Sequence, residues 1–522
     1  MSEQSNKHHL VILLSTLKMA IATLASRVLG LVREQALAAV FGASGMTDAF
    51  LVAYRIPNIL RDLFAEGAFS SAFVPTFTKV LQRDPQKARA LMWSLLILLL
   101  TITGIIGVGI AIFNHELVML FAPKFADDPH KFAVTAQLIR LMAPFLAMIS
   151  LAALFMGVLN ALKVFFIPSF APVFFNIVMI CSILFLSKYM RSIGSEPIYA
   201  LGFGVIGGGF LQLLVQLPLI LKKGFGPTGP IELWSVESRE VISRMGIGTV
   251  GIAATQINVL VNTILASATV VGAVSWLVYA FRFFQFPVGI LGVSVANSNL
   301  VHFSSAWKAG DRDEAKRILI SSYNLSLLVV LPAMALLMAL STASVNLVFE
   351  HGAFTRHDTL MSSMALRYYL LGLPFYGIYK IFGPVFYAID RPKIPVAISS
   401  ISVGLNIVFC VLMVPHFGFW VLALGTSLSM MINTTTQMVI LKRVLNLSFV
   451  DFISLPVLKY IGAAGALYYV ANLLANRYYL LDGQWSTKLG GYLLASVVAT
   501  ATYFLVLLLT GEGRQILKKF TR

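Results

Sequence analysis

Residues 26–77 combine two properties that rarely coexist. The stretch SRVLGLVREQALAAVFGASGMTDAFLVAYRIPNILRDLFAEGAFSSAFVPTF is apolar enough to enter a bilayer, yet it carries Arg27, Arg33, Glu34, Asp48, Arg55, Arg61, Asp62 and Glu66. A charge at the centre of a membrane helix costs roughly 2.5–3.5 kcal/mol on insertion scales, so such residues turn toward a polar cavity or a partner. Four arginines among the eight charges predict a wet, basic chamber inside a helical bundle. The guanidinium fork matches phosphate oxygens, so the expected occupant is an anionic, phosphorylated substrate. Glu34, Asp48, Asp62 and Glu66 are natural partners for the arginines when the chamber is empty, because unpaired buried charges are costly. Substrate phosphates would then compete with those carboxylates. Arg27 and Arg33 stand six residues apart and do not share a helix face, but Gly30 between them offers a bend. Pro57 offers a kink between Arg55 and Arg61.

The rest of the chain supplies the bundle. Of its 522 residues 58% are hydrophobic and 12% charged, against about 25% charged in soluble domains. Apolar runs of membrane-crossing length fall at about 11–41, 47–79, 90–113, 132–159, 168–188, 198–222 and 241–268. Further runs fall at about 273–304, 315–342, 359–389, 394–414, 418–441, 452–474 and 487–511. The fold class is therefore an all-α polytopic membrane protein with about fourteen transmembrane helices. The connections are too short to hold a soluble domain. Basic residues concentrate in alternate loops, for example Lys79, Arg83, Lys87 and Arg89, then Lys222 and Lys223, then Lys308, Arg312, Lys316 and Arg317. The positive-inside rule then places both termini in the cytoplasm. The N-terminus has the outline of a signal peptide, but Lys18 interrupts its apolar core, so it reads as an uncleaved first span.

The net charge of +17 follows from these loops and from attraction to membrane lipids, not from a nucleic-acid surface. Cys181 and Cys410 lie in apolar runs and point to neither a disulfide framework nor a metal site. No Walker lysine motif, nucleophile elbow or HExxH motif is present, and the sequence calls for no cofactor. Gly202–Gly209 is glycine-rich but sits within an apolar span, where close helix packing accounts for it.

The chain also resembles itself. Leu51-Val52-Ala53-Tyr54-Arg55 matches Leu277-Val278-Tyr279-Ala280-Phe281-Arg282 at an offset of about 226. The connection near Ala161–Pro168 matches Ile389–Pro395, Asn-Ile-Val recurs at Asn176 and Asn406, and Lys222-Lys223 matches Lys442-Arg443. These correspondences predict a six-helix lobe at 1–225, a second at 226–447, and two additional helices at 448–522. Two parallel repeats around a midplane site are a common transporter design. From Met245 to Trp307 the only residue charged at neutral pH is Arg282, which falls mid-span and so belongs with the first-half cluster.

These residues resemble the MurJ/MviN family of bacterial lipid II flippases, within the multidrug/oligosaccharidyl-lipid/polysaccharide exporter superfamily. The resemblance rests on SRVLGLVRE at Ser26–Glu34, MTDAF at Met46–Phe50, and IPNILRDLFAEGAFSSAFVP at Ile56–Pro75. It extends to Pro168–Ile177 and Phe286–Ser294. The resemblance implies two lobes around a headgroup cavity, with the last two helices forming a groove for the lipid tail. It implies that the essential cavity arginines are Arg27, Arg33, Arg61 and Arg282, the serines Ser26 and Ser275, and the carboxylates Asp48 and Glu66. It departs at Asp62, where some relatives carry arginine, at Phe281, where some carry aspartate, and at Gln285, where some carry glutamate. Relatives that bind sodium use an aspartate in span seven, where this chain offers only Gln256, Asn258 and Asn262.

The expected activity is transfer of lipid II from the cytoplasmic to the outer leaflet of the bacterial cytoplasmic membrane, by alternating access. The chain would be a transporter and not an enzyme, with the cell-wall synthesis machinery as a further partner. Export of another polyprenyl-pyrophosphate-linked oligosaccharide shares the pyrophosphate and stays open. A non-transporting scaffold for cell-wall enzymes would have no use for interior arginines.

Overall fold

Caps and breakers set the helix ends seen in the computed structural model. It describes the backbone of residues 3–62, 68–227 and 231–513, and the side chains there except 3–17, 68, 70–71, 247–252, 254–255 and 290–299. Helix α1 (Glu3–Phe41) stops at Gly42, whose φ of 64° suits glycine. Two residues later Ser44 Oγ accepts the Thr47 N–H at 3.2 Å and opens α2 (Gly45–Arg61). After α3 (Ala68–Arg83), Asp84 and Asp128 cap α4 (Pro85–Ile112) and α6 (Pro129–Met142), each with proline in the first turn. Between them lies the short α5 (Asn114–Phe121). Pro144 separates α6 from α7 (Phe145–Ala161), so one expected span is two helices. In the next span α8 (Phe166–Cys181) runs through a π-helical turn at Ser182–Leu186 into α9 (Ser187–Ser192), and in the one after it a turn separates α10 (Tyr199–Leu214) from α11 (Leu217–Lys222). Helix α12 (Val236–Ser267) closes the first compact unit, Met1–Val274.

The second unit, Ser275–Arg522, takes up α13 (Ala273–Lys308). It continues with α14 (Arg312–Ala339), α15 (Ser341–Phe349), α16 (Arg356–Leu370) and α17 (Leu373–Ala388). Then come α18 (Lys393–Phe417), α19 (Trp420–Leu445), the one-turn α20 (Phe449–Phe452), α21 (Leu455–Tyr478) and α22 (Trp485–Leu509). Helices α21 and α22 form a hairpin whose buried side, including Tyr460, Leu467 and Tyr503, joins the core of α14 and α17. The connection between them is tied down by Tyr479, whose hydroxyl donates to Asn346 Oδ1 at 2.7 Å. Burial, with Glu350 nearby, pushes the Tyr479 phenol up, so it keeps the proton it donates.

The expected rods all have helical counterparts, and no strand occurs among the described residues. Among the described residues, eight helical stretches are long and apolar enough by composition alone to cross a membrane. The remaining expected spans fall on α1, α2 with α3, α12, α13, α16 with α17, and α19.

Duplication is plain in the element boundaries. The starts of α4, α6 and α8 (85, 129 and 166) precede those of α14, α16 and α18 (312, 356 and 393) by the same 227 residues. Packing divides the chain at a different place from this repeat. Helix α12, the first of the second repeat, lies along α3 within the first unit.

Small residues set the packing of the first unit, as they do where lipid removes the hydrophobic drive between helices. The glycines of α10 press on α7 and α8. A Cβ on Gly208 would lie 2.7 Å from the Phe175 ring, and one on Gly209 would lie 2.7 Å from the Phe145 ring. The glycine run is thus a packing surface. Gly208→Val should lower stability by about 1–3 kcal/mol through overpacking. Gly104→Ala, where a Cβ meets nothing within 4 Å, should leave the midpoint unchanged or raise it. Thermal unfolding of the two purified variants in detergent checks both.

Candidate substrate site

In the first unit, α1 runs unbroken through Gly30 and packs along α8. Arg33, with 16% of its side chain exposed, donates from Nη2 to Glu34 Oε1 at 2.6 Å. It donates from Nη1 to Asn176 Oδ1 at 3.2 Å, and Asn176 Nδ2 donates in turn to the Ser26 carbonyl at 3.1 Å. The guanidinium carbon sits 5.8 Å from the centre of the Phe175 ring, a cation–π contact. A Cβ on Gly30 would come to 3.9 Å from Asn176 Nδ2, an ordinary contact distance, which places the amide beside this turn of α1. Arginine stays charged at any physiological pH, so burying it demands such partners. Its other N–H donors have no acceptor among the described residues, which leaves part of the fork available to an anion.

Arg27 and Ser26 lie on the same stretch of α1. Arg27 is exposed and pairs with no carboxylate among the described residues, and Ser26 is half-buried. At the other end of α2, Arg61 reaches Asp62 Oδ1 with Nη2 at 3.1 Å and Nε at 3.3 Å. Asp62 Oδ2 also accepts from Gln256 of α12 at 3.4 Å. Arg61 and Tyr54 lie within electrostatic range of Arg33, so Arg33 and Arg61 contribute to one basic region of this unit. Arg55 is half-buried on α2 between them in sequence. Glu66 lies outside the described residues.

Asp48 is placed differently from the other acids. It is 2% exposed, and its Oδ2 accepts the backbone N–H of Gly272 at 2.7 Å. Gly272 stands in the turn between α12 and α13. One oxygen of this carboxylate therefore fixes a turn.

In the second unit, Ser275 is fully buried on α13 and Arg282 is half-buried one span-half further on. Arg282 Nη1 donates to Gln285 Oε1 at 3.4 Å, so a neutral amide stands where some relatives have glutamate. Phe281 packs among aromatics, 5.4 Å from Phe284 and 5.3 Å from Tyr369 between ring centres. A carboxylate there would have to displace that contact. At the 227-residue offset of the helix starts, Arg282 is the counterpart of Arg55 and Ser275 of Asp48.

Asn176 is the site residue that charge patterning missed. Its neutral amide stands out in sequence only as a polar side chain inside an apolar run, and as half of a repeated Asn-Ile-Val. Removing an uncharged partner of a charged group typically costs about 1.5–3 kcal/mol. Asn176→Leu should therefore weaken function roughly tenfold or more through Arg33, while Asn176→Asp, which keeps an acceptor, should lose less. Growth complementation of a strain depleted of the protein, with membrane abundance monitored, checks the order.

A sequence profile described as lipid II flippase MurJ matches residues 37–489. A probable lipid II flippase MurJ of Buchnera aphidicola subsp. Acyrthosiphon pisum is 34% identical over 434 residues, covering 82% of each chain. One of Vibrio cholerae serotype O1 is 32% identical over 522 residues, covering 96% of each. Among solved structures, a lipid II flippase MurJ in an inward closed conformation superposes with a TM-score of 0.76 at 26% identity. That match covers 94% of this chain and 99% of the other.

Proposed function

The chain belongs to the MurJ family of lipid II flippases, and from that premise we propose that it carries lipid II across a bacterial cytoplasmic membrane. It is a multi-pass membrane transporter and not a catalyst. Lipid II joins a polyprenyl tail through a pyrophosphate to a sugar-peptide headgroup. The observation that carries the assignment here is Arg33, a largely buried guanidinium held by Glu34 and Asn176 with donors left over. A pyrophosphate is the substrate group that such a fork fits best.

In this reading Arg27, Arg33 and Arg61 grip the pyrophosphate, Ser26 adds a hydroxyl, and Arg55 and Arg282 add positive field. Glu34 and Asp62 hold the arginines in the empty protein and yield them when phosphate arrives. Glu66 is a further acid of that kind. Ser275 and Asp48 act through the helices they anchor. Residues 1–225 and 226–447 serve as lobes that alternate in access, and 448–522 provide the groove for the tail. Both termini lie in the cytoplasm, as the basic loops require. Cell-wall synthesis enzymes are the natural consumers of the delivered precursor.

Arg27→Ala and Arg282→Ala should each abolish complementation of a flippase-depleted strain while membrane abundance stays normal. Full growth of both variants would remove these residues from the site. Headgroup exposure at the outer face, measured in depleted cells for lipid II and for another polyprenyl-pyrophosphate oligosaccharide, tests the substrate. Equal exposure of the two would make the protein a general exporter.

A further inference from the structure

Lys131 stands apart from the arginine cluster and has no place in the scheme above. It opens α6 and is only 7% exposed. Its ammonium lies 3.7 Å from the centre of the Phe125 ring. A Cβ on Gly45, in the first turn of α2, would meet Lys131 Nζ at 3.8 Å and Val271 Cγ1 at 3.7 Å. The lysine and the α12–α13 turn thus pack against the same turn of α2. Asp48 lies on that turn of α2, and it is the buried carboxylate within electrostatic range of Lys131; Asp128, which caps α6, is the other acid in range. A buried lysine with no charged partner would be strongly disfavoured, and so would a buried aspartate.

The second repeat supports the pairing. The 227-residue offset maps Gly45 onto Gly272, Asp48 onto Ser275 and Lys131 onto Asp358. In the second unit Asp358 Oδ1 accepts the Trp276 Nε1–H at 2.8 Å, which joins the start of α13 to the start of α16. Both repeats therefore set a buried acid where these two helix starts meet: in the second it accepts from Trp276, and in the first it lies within electrostatic range of Lys131. Where α2 carries the acid, α6 carries the lysine.

We infer that Lys131 is a positioning residue for transport: its buried ammonium keeps Asp48 ionised and fastened to Gly272, and so holds the turn through which the chain leaves the first compact unit. That unit ends at Val274, two residues beyond Gly272. Loss of the ammonium would loosen the turn and slow flipping; the slowing, but not the loosening, rests on the flippase reading above.

Amide hydrogen exchange of residues 268–274, measured by mass spectrometry on the full-length protein in lipid nanodiscs, needs no substrate. Lys131→Met should speed exchange in this turn about tenfold, while Lys131→Arg should leave it near the unsubstituted rate. In an Asp48→Asn background, where the buried carboxylate charge on α2 is gone, Lys131→Met should add nothing to exchange in this turn. Unchanged exchange in Lys131→Met, or the same acceleration in both backgrounds, would overturn the inference. Should Lys131→Met fail to reach the membrane, Lys131→Gln makes the same comparison. Flipping assayed on the same variants completes the test: a loosened turn with an unaltered transport rate would overturn the positioning role, whereas complete absence of transport in the unsubstituted protein would count only against the flippase assignment.

Discussion

An arginine cannot shed its proton to enter a helical bundle. Its pKa is above about 12, so the bundle must be built around the charge. Arg33 shows what that requires. Its neighbour Glu34 supplies the counter-charge, Asn176 supplies a neutral acceptor from α8, and Phe175 supplies a ring face. Each of these depends on the packing behind it. Phe175 lies against Phe145 and fills the space above Gly208, so the glycine surface of α10 sets how α8 approaches α1. The polar site and the apolar packing use adjacent residues of one helix, and neither can be altered alone.

The acids of the first unit divide into two kinds by what they hold. Glu34 and Asp62 each pair with the arginine immediately before them. Such pairs are local, and Asp62 is more than a third exposed, so that carboxylate can change partner with little rearrangement. Asp48 is almost wholly buried and holds backbone. A phosphate cannot replace it, because the Gly272 N–H would lose its acceptor. Burial thus separates acids that can trade partners from one that maintains architecture, although all of them looked alike as charges in a row.

The helices were legible because each apolar run is long enough to cross a bilayer and is punctuated by Gly, Pro, Asp or Asn. Interruptions within runs were harder to read. Pro144 splits α6 from α7, and Pro57 leaves α2 whole, because neighbouring packing and not proline alone decides whether a helix stops. The arginines and their acids announced themselves by cost, since charge in an apolar run demands a reason. Asn176 did not, because a neutral amide carries no such penalty in sequence. Lys131 counted only as one basic residue in a short connection, although the fold buries it. The division of the packing at Val274 was hidden for a different reason: repeats record ancestry, whereas compact units record contact, and α12 follows the first half in contact.

The two repeats match far better in helix boundaries than in charge. The offset that aligns α4 with α14 also places Leu260 opposite Arg33, Val261 opposite Glu34 and Val288 opposite Arg61. Of the four cluster arginines only Arg55 has a guanidinium opposite it, that of Arg282. Duplication of the backbone gives two bundles of similar shape, which is what a rocking transporter needs. Duplication of the charges would have doubled the acids needed to balance them. With most of the cluster's guanidiniums in one repeat, their counter-charges can be supplied from the next residue along the same helix, as Glu34 and Asp62 do. The second repeat is then left with neutral groups such as Gln256, Asn258 and Asn262, and Gln256 already serves the first unit by donating to Asp62. The asymmetry is the condition under which one repeated fold can hold several arginines without a second set of acids.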